Sequence, residues 1–116
     1  MNKPLGPYTP VVRAGDFLYV SGQVGMTDGA LVDGGVPGQT AQAVRNITDR
    51  LAENGAELTD IVKTMCFLTD MGAFAEFNDA YVTAFGGHRP ARSTVEVSAL
   101  PVGAEVEIEV IAFKPA

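Results

Sequence analysis

The 116-residue sequence contains one cysteine, one histidine and no tryptophan. A lone cysteine, Cys66, cannot form an intramolecular disulfide, and with the lone His88 it supplies too few ligands for a structural zinc site. We therefore predict no metal and a reducing, cytoplasmic environment. No apolar run reaches the length of a membrane span or of a signal-peptide core, so neither membrane insertion nor secretion is expected.

Positive charge is also scarce. Eight lysines and arginines stand against fourteen aspartates and glutamates, which gives a formal charge of −6. This balance repels phosphate backbones and anionic lipid headgroups, so nucleic acids and membranes are unfavourable partners. The glycines between Gly25 and Gly38 also lack the Lys-Ser/Thr pair of a phosphate-binding loop. The length fits a single domain over residues 1–116.

The hydrophobic pattern predicts seven elements in the order ββαβαββ. Short alternating runs next to glycine-containing turns are typical of strands, and apolar residues at i, i+3/i+4 and i+7 are typical of amphipathic helices. The predicted elements are strands at 11–14 and 17–21 around a Gly15-Asp16 turn, a loop or ribbon at 26–39, a helix from Thr40 toward Gly55, a strand at 61–68, a helix from Phe74 to Phe85 capped by Asp70, and strands at 91–97 and 105–113. The run at 61–68 predicts a central strand, with Cys66 as a small buried hydrophobe.

Two helices and about five strands predict a two-layer α+β fold, in which a mixed sheet carries both helices on one face. We expect the last two strands to pair as a hairpin with Val95 opposite Ile108. In that register one face of the hairpin is apolar and packs on the helices. The opposite face carries a polar set: Arg92, Thr94, Glu96, Glu105, Glu107 and Glu109.

Four carboxylates on one sheet face repel each other across the strands. Such crowding can raise the pKa of one carboxyl toward neutrality, as a general acid or base requires. Arg92 follows Pro90-Ala91 at the start of its strand, where its planar guanidinium can bind a carboxylate through two hydrogen bonds. From alternation alone, a solvated polar face with a surface ion pair is the simpler interpretation.

Two C-terminal segments resemble the signature of the YjgF/RidA family. They are Arg89-Pro-Ala-Arg-Ser-Thr-Val-Glu-Val-Ser-Ala-Leu-Pro and Glu105-Val-Glu-Ile-Glu-Val-Ile-Ala. Further matches follow the family's order from Gly6 to Ala112: Gly6-Pro-Tyr8, Val20-Ser-Gly-Gln23, Asn54-Gly55, Asp60-Ile-Val-Lys-Thr64, Leu68-Thr-Asp70, and Phe74 to Tyr81 with Asn78. No single tripeptide is specific, but the combination over nearly the whole chain is.

The resemblance implies a chorismate-mutase-like fold assembled as a homotrimer with active sites at the subunit interfaces. It also implies a hydrolase similar to 2-iminobutanoate/2-iminopropanoate deaminase, which converts enamines and imines such as 2-aminoacrylate to 2-oxo acids and ammonia without a cofactor. By position, Arg92 would bind the substrate carboxylate, and Glu107 would orient the attacking water and handle its proton. The other expected pocket residues are Tyr8, Ser21, Gly22, Asn78 and the backbone of Thr94, which stands where well-known relatives carry cysteine.

Two further functions stay open at this point. One is a non-catalytic trimer that binds a 2-oxo acid or regulates a partner, and it needs Arg92 but no catalytic base. The other is the endoribonuclease activity ascribed to some relatives, against which the formal charge of −6 and the lack of a basic stripe count. The expected ligand is therefore a small imine or 2-oxo acid.

Overall fold

The computed structural model describes residues 2–116, which form a five-stranded sheet with two helices on one of its faces. A two-stranded ribbon, β3–β4, follows the second strand; otherwise the predicted order ββαβαββ is confirmed. The elements are β1 (Val11–Ala14), β2 (Phe17–Val24), β3 (Met26–Thr27), β4 (Ala30–Leu31), α1 (Gly35–Ala52), β5 (Ile61–Leu68), α2 (Phe74–Phe85), β6 (Ala91–Glu96) and β7 (Val106–Phe113), with 3-10 turns at Leu58–Asp60, Met71–Ala73 and Pro101–Gly103.

The strands of the main sheet lie in the order β1-β2-β7-β5-β6. The predicted pairing of the last two strands is wrong, because β7 lies between β2 and β5, where Ile108 is opposite Gln23 and Cys66. β6 runs parallel to β5 at the sheet edge, with Val95 opposite Phe67. Alternation identifies a strand but not its partner, and the helix between β5 and β6 makes the parallel crossover possible. β5, predicted as a central strand, is an interior strand with a neighbour on each side, and the middle position belongs to β7.

The side chains of β6 point opposite to the sequence prediction. Arg92 pairs with Thr64, and Thr94 pairs with Cys66. Both β5 residues are fully buried under the helices. Because side chains at paired positions share a face, Arg92, Thr94 and, two residues on, Glu96 lie on the helix-covered face rather than beside Glu107.

One of the glutamates predicted for the polar face of the last strand lies outside that strand. Glu105 precedes β7, and its carboxylate accepts a hydrogen bond from Gln39 Nε2 of α1 at 3.3 Å. Glu107 and Glu109 alternate with buried Val106 and other core residues of β7, so they keep the face that the helices leave open.

The first helix begins earlier than predicted, at Gly35 rather than at Thr40. Gly34 has a φ of 105°, a left-handed conformation that glycine adopts without strain, and it turns the chain into the helix. Pro37 is tolerated here because the first N–H groups of a helix have no intrahelical partner. Glycine has a low helix propensity, so the sequence pattern did not indicate that this first turn is helical. The predicted hairpin around Gly15-Asp16 is confirmed.

The core lies between the two helices and the sheet. Its members that are at most 1% exposed include Leu18, Ile47, Leu51, Ile61, Cys66, Leu68, Phe77, Val106 and Ile108. Burial raises the pKa of the Cys66 thiol to about 11, so the thiol stays protonated at neutral pH, as predicted for a small hydrophobe. Within residues 2–116, no helix is long and apolar enough to cross a membrane.

A buried hydroxyl pair joins α2 to β5 and provides a test of the fold. Thr64 Oγ1 and Tyr81 Oη lie 2.9 Å apart. We expect Tyr81→Phe to lower the free energy of unfolding by about 1–3 kcal/mol, because it leaves the Thr64 hydroxyl buried without this partner. Adding Thr64→Val should cost less than the two single losses combined, since the pair is then removed together. Urea denaturation measures the free energy of unfolding of the wild type, both single variants and the double variant. Strictly additive losses of this free energy would contradict the hydrogen bond between the two hydroxyls.

Candidate functional site

Arg92 is held against aromatic rings of α2. Its guanidinium carbon lies 4.8 Å from the ring centroid of Tyr81 and 5.6 Å from those of Phe74 and Phe77. Ring faces attract a cation without using its N–H groups. Among residues 2–116 the guanidinium has no hydrogen-bond or ion-pair partner, so its five N–H donors are free to bind an anion.

Two of the other predicted residues lie beside Arg92. Val97 donates its N–H to the carbonyl of Leu68 at 2.8 Å. Because N–H directions alternate along a strand, the Thr94 N–H points away from β5, toward the free edge of the sheet. Asn78 lies one helical turn from both Phe74 and Tyr81, on the face of α2 that meets Arg92. We call Phe74, Asn78, Tyr81, Arg92 and Thr94 the Arg92 cluster.

Two side chains of this cluster hold buried oxygen atoms without a hydrogen-bond partner in the described part of the chain: Asn78 Oδ1 and Thr94 Oγ1. Most buried polar atoms in native proteins are paired, so these two mark an environment whose hydrogen bonds are incomplete. The aromatic stripe of α2 fits the amphipathic helix predicted from Phe74 to Phe85. Its spacing gave no sign that these rings also hold Arg92, because core and cation-binding aromatics share the same helical period.

Glu107 lies on the opposite face of the sheet, against a β-bulge in β2. Between Val20 and Gln23 the register with β7 shifts by one residue, and the bulge brings Gly22 against the carboxyl group. A Cβ atom at Gly22 would lie 2.7 Å from Glu107 Cδ and Oε2, so any larger residue here would have to displace the Glu107 carboxyl.

Ser21 and Tyr8 border the same place. The Ser21 hydroxyl donates to the Thr9 carbonyl at 2.8 Å, which ties the bulge to the segment before β1. The Tyr8 hydroxyl accepts the N–H of Leu5 at 3.0 Å, and its ring lines one small cleft together with Gly22. We call Tyr8, Ser21, Gly22 and Glu107 the Glu107 cluster.

The Glu107 carboxyl is electrostatically perturbed. Half-burial raises its pKa above the usual range, and the neighbouring Glu109 charge raises it further. A carboxylate whose pKa moves toward neutrality accepts and returns protons more readily at physiological pH. The hypothesis that crowding would raise one carboxyl pKa is supported, although desolvation contributes more than the like charge.

The predicted site residues therefore form two clusters rather than one. Arg92, Asn78 and Thr94 lie on the helix-covered side of the sheet, and Glu107 lies on the open side. The expectation that Arg92 shares a face with Glu107 is wrong, because β6 pairs with β5 and not with β7. Residues 2–116 contain no group of three or more metal-ligating side chains.

Comparison with known proteins assigns the family. The family model described as Endoribonuclease L-PSP, the YjgF/RidA family, matches residues 1–114. The chain belongs to this family. It is 43% identical over 112 residues to a mouse protein named 2-iminobutanoate/2-iminopropanoate deaminase, covering 95% of this chain and 83% of that one. It superposes on the crystal structure of RidA from an Antarctic Psychrobacter with a TM-score of 0.91 and 36% identity, covering 96% and 91%.

These similarities confirm the RidA fold, two helices packed on a mixed sheet. They also support imine deamination as a family activity, since the mouse relative carries that name. A yeast relative, 43% identical over 108 residues that cover 92% of this chain and 74% of its own, is named Protein MMF1, mitochondrial. Family membership alone therefore does not assign this chain to the cytoplasm.

The contact between Gly22 and Glu107 gives a test of the cluster. We expect Gly22→Ala to displace the Glu107 carboxyl, which sits at the end of a flexible side chain, and so to cost little stability. The carboxyl resonance of Glu107 in a carbon-13 NMR titration should shift in position and in pKa. Gly87→Ala is the matched control, because a Cβ there meets nothing within 4 Å. An unchanged Glu107 titration in Gly22→Ala would contradict the contact.

Proposed function

We propose that this chain hydrolyses enamines and imines of small 2-oxo acids, at sites shared between the subunits of a homotrimer. The observation that carries the proposal is the unpartnered Arg92 guanidinium at a sheet edge, combined with a second cluster built around a perturbed carboxyl. The first arrangement is suited to binding a carboxylate. The second is suited to moving a proton.

Arg92 binds the substrate carboxylate in this proposal. The planar guanidinium matches both carboxylate oxygens, and such charge-assisted pairs are about twice as strong as neutral hydrogen bonds. The outward N–H of Thr94 can add a third donor at the same edge. The rings of Phe74 and Tyr81 fix the guanidinium without competing for its donors, so the site is organised before the substrate arrives.

Glu107 acts on the water. Its carboxylate takes one proton from the water, whose oxygen bonds to the C=N carbon while the π electrons move to nitrogen. The same proton then passes to nitrogen, which gives a carbinolamine. Loss of ammonia from this intermediate forms the C=O bond of the 2-oxo acid, so one water is consumed and one ammonia is released. An enamine such as 2-aminoacrylate first tautomerises to the imine. The C=N carbon is already activated by its carboxylate, so fixed geometry and one base suffice.

The two clusters lie on opposite faces of one sheet, so this chemistry needs a second copy of the chain. The open face is suited to an interface, since apolar side chains outnumber its charges: Val12, Phe17, Tyr19, Met65, Phe67, Val95, Ile111 and Phe113. An interface that joins the Arg92 cluster of one copy to the Glu107 cluster of the next is heterologous. A heterologous interface closes into a ring when the rotation between copies is a whole fraction of a turn, and a ring of three matches the trimer that the resemblance implies.

The deaminase assay tests the proposal. A pyridoxal-phosphate enzyme that dehydrates serine generates 2-aminoacrylate in place, and its decay is followed with and without the protein. We expect Arg92→Ala to lower kcat/KM by about 10²-fold or more, through loss of two charge-assisted hydrogen bonds. Glu107→Gln should lower kcat by about 10²–10⁴-fold while 2-oxo-acid binding persists.

Arg45→Ala is the control, because Arg45 is exposed on α1 and its guanidinium hydrogen-bonds to Gln42, away from both clusters. Glu107→Gln should not lose stability at pH 7. A raised carboxyl pKa means that folding disfavours the charged form there, and the neutral amide removes that cost. No acceleration by the wild-type protein, with 2-oxo-acid binding intact, would favour the non-catalytic binding function instead.

A further inference from the structure

Three amide side chains form a stripe on α1. Gln39, Gln42 and Asn46 follow the spacing i, i+3 and i+7, which places them on one face of the helix. Gln39 is 5% exposed and Asn46 is 7% exposed. A buried amide is costly unless its donors and acceptors are paired, so the partners of these groups indicate what the stripe does.

Asn46 binds the chain just after the bulge of β2. Its Nδ2 donates to the carbonyls of Val24 and Met26 at 3.1 and 3.0 Å. Its Oδ1 accepts a hydrogen bond from Gln42 Nε2 at 2.9 Å, which holds the amide plane in this orientation. The two carbonyls follow Gly22 by two and four residues, so Asn46 fixes the exit of the bulge on which the Glu107 carboxyl rests.

Gln39 binds the chain just before β7. Its Oε1 accepts the N–H of Glu105 at 2.8 Å, and its Nε2 donates to Glu105 Oε2 at 3.3 Å. Glu105 precedes Glu107 by two residues. The backbone of α1 also approaches the end of β2 closely here, since a Cβ at Gly25 would lie 2.5 Å from Gln39 Cα.

We propose that Gln39 and Asn46 are positioning residues for Glu107. They hold β7 and β2 from the helix-covered face, in the register that brings the Glu107 carboxyl against Gly22 on the open face. This proposal rests on the function proposed above, in which Glu107 acts on water. A β-bulge leaves one residue outside the ladder, and the two amides fix β2 and β7 at the same end of the Gly22–Glu107 contact, where Val24 pairs with Glu107.

The two amides act through the backbone and touch no reacting atom, so their effect differs from that of the Arg92 cluster. Misplacing a catalytic group by about 1 Å can cost about 100-fold in rate. Loss of either amide should therefore lower kcat, while KM changes little because Arg92 still binds the substrate carboxylate. A helix that only anchored the sheet would affect stability without this split between kcat and KM.

The experiment compares Asn46→Ala and Gln39→Met with Ile47→Val in the full-length protein. Ile47 is a fully buried neighbour of Asn46 in α1 that holds neither strand carbonyl, so its truncation loosens the packing alone. In both amide variants we expect kcat to fall about 10- to 100-fold with KM within about threefold. The pKa of the Glu107 carboxyl should also move down toward its usual range in a carbon-13 NMR titration. Ile47→Val should lower the urea midpoint and leave kcat and this titration unchanged.

Unchanged kcat and an unchanged Glu107 titration in both amide variants would overturn the proposal, and so would equal changes in Ile47→Val. If Asn46→Ala does not fold, Gln39→Met and Gln42→Ala provide the test. Gln39→Met removes the hydrogen bonds to Glu105, and Gln42→Ala removes the donor to Asn46 Oδ1. Both variants keep the Asn46 amide and its bonds to β2 and β3. The NMR titration reads the position of Glu107 without substrate. A wild-type protein without deaminase activity would therefore refute the proposed function, while the titration would still test the positioning role.

Discussion

One β-sheet separates Arg92 from Glu107, and the proposed site depends on that separation. Arg92 faces the helices because β6 pairs with β5 in the register that places Thr94 beside buried Cys66. Glu107 faces the other way because its neighbours in β7 are core residues. Neither side chain can change faces without a one-residue slip, which would turn the apolar side of its strand out of the core. In the proposed account, each pocket is therefore shared between two copies of the chain.

The central position of β7 links the core to the chemistry. Its apolar side chains fill the space under the helices, while Glu107 projects from the same strand onto the open face. In the proposed account, helix α1 positions the Glu107 carboxyl without touching it, through hydrogen bonds to both strands at one end of the contact between Gly22 and Glu107. Buried amides are suited to this task because they bind backbone polar groups directionally and carry no charge to bury.

Much of this architecture follows from patterns in the sequence, and the errors have a common cause. Periodicity located both helices and the main strands, and the resemblance implied the fold, because these signals are local or family-wide. The partner of β7 was missed since alternation gives a strand its two faces but no neighbour. That error also placed Arg92 on the wrong face. The glycine-rich first turn of α1 was missed because glycine disfavours helices in isolation.

The site residues were predicted by resemblance, but their division into two clusters depends on contacts distant in sequence. Gly22 and Glu107 are 85 positions apart in the sequence and come into contact at a β-bulge. No local sequence pattern predicts that bulge. The aromatic rings around Arg92 belong to a helix whose apolar spacing equally indicates core packing. Such tertiary relations require knowledge of which strand lies beside which.

Subunit complementation tests the central claim most directly. Arg92→Ala and Glu107→Gln chains, each inactive alone, are co-expressed at equal levels with different affinity tags, and the mixed oligomers are isolated and assayed. If each site takes Arg92 from one subunit and Glu107 from the next around a ring of three, every mixed trimer has one intact site, so the isolated mixed trimers should recover about a third of the wild-type activity. Activity no greater than that of the two variants assayed separately would contradict a site shared between subunits.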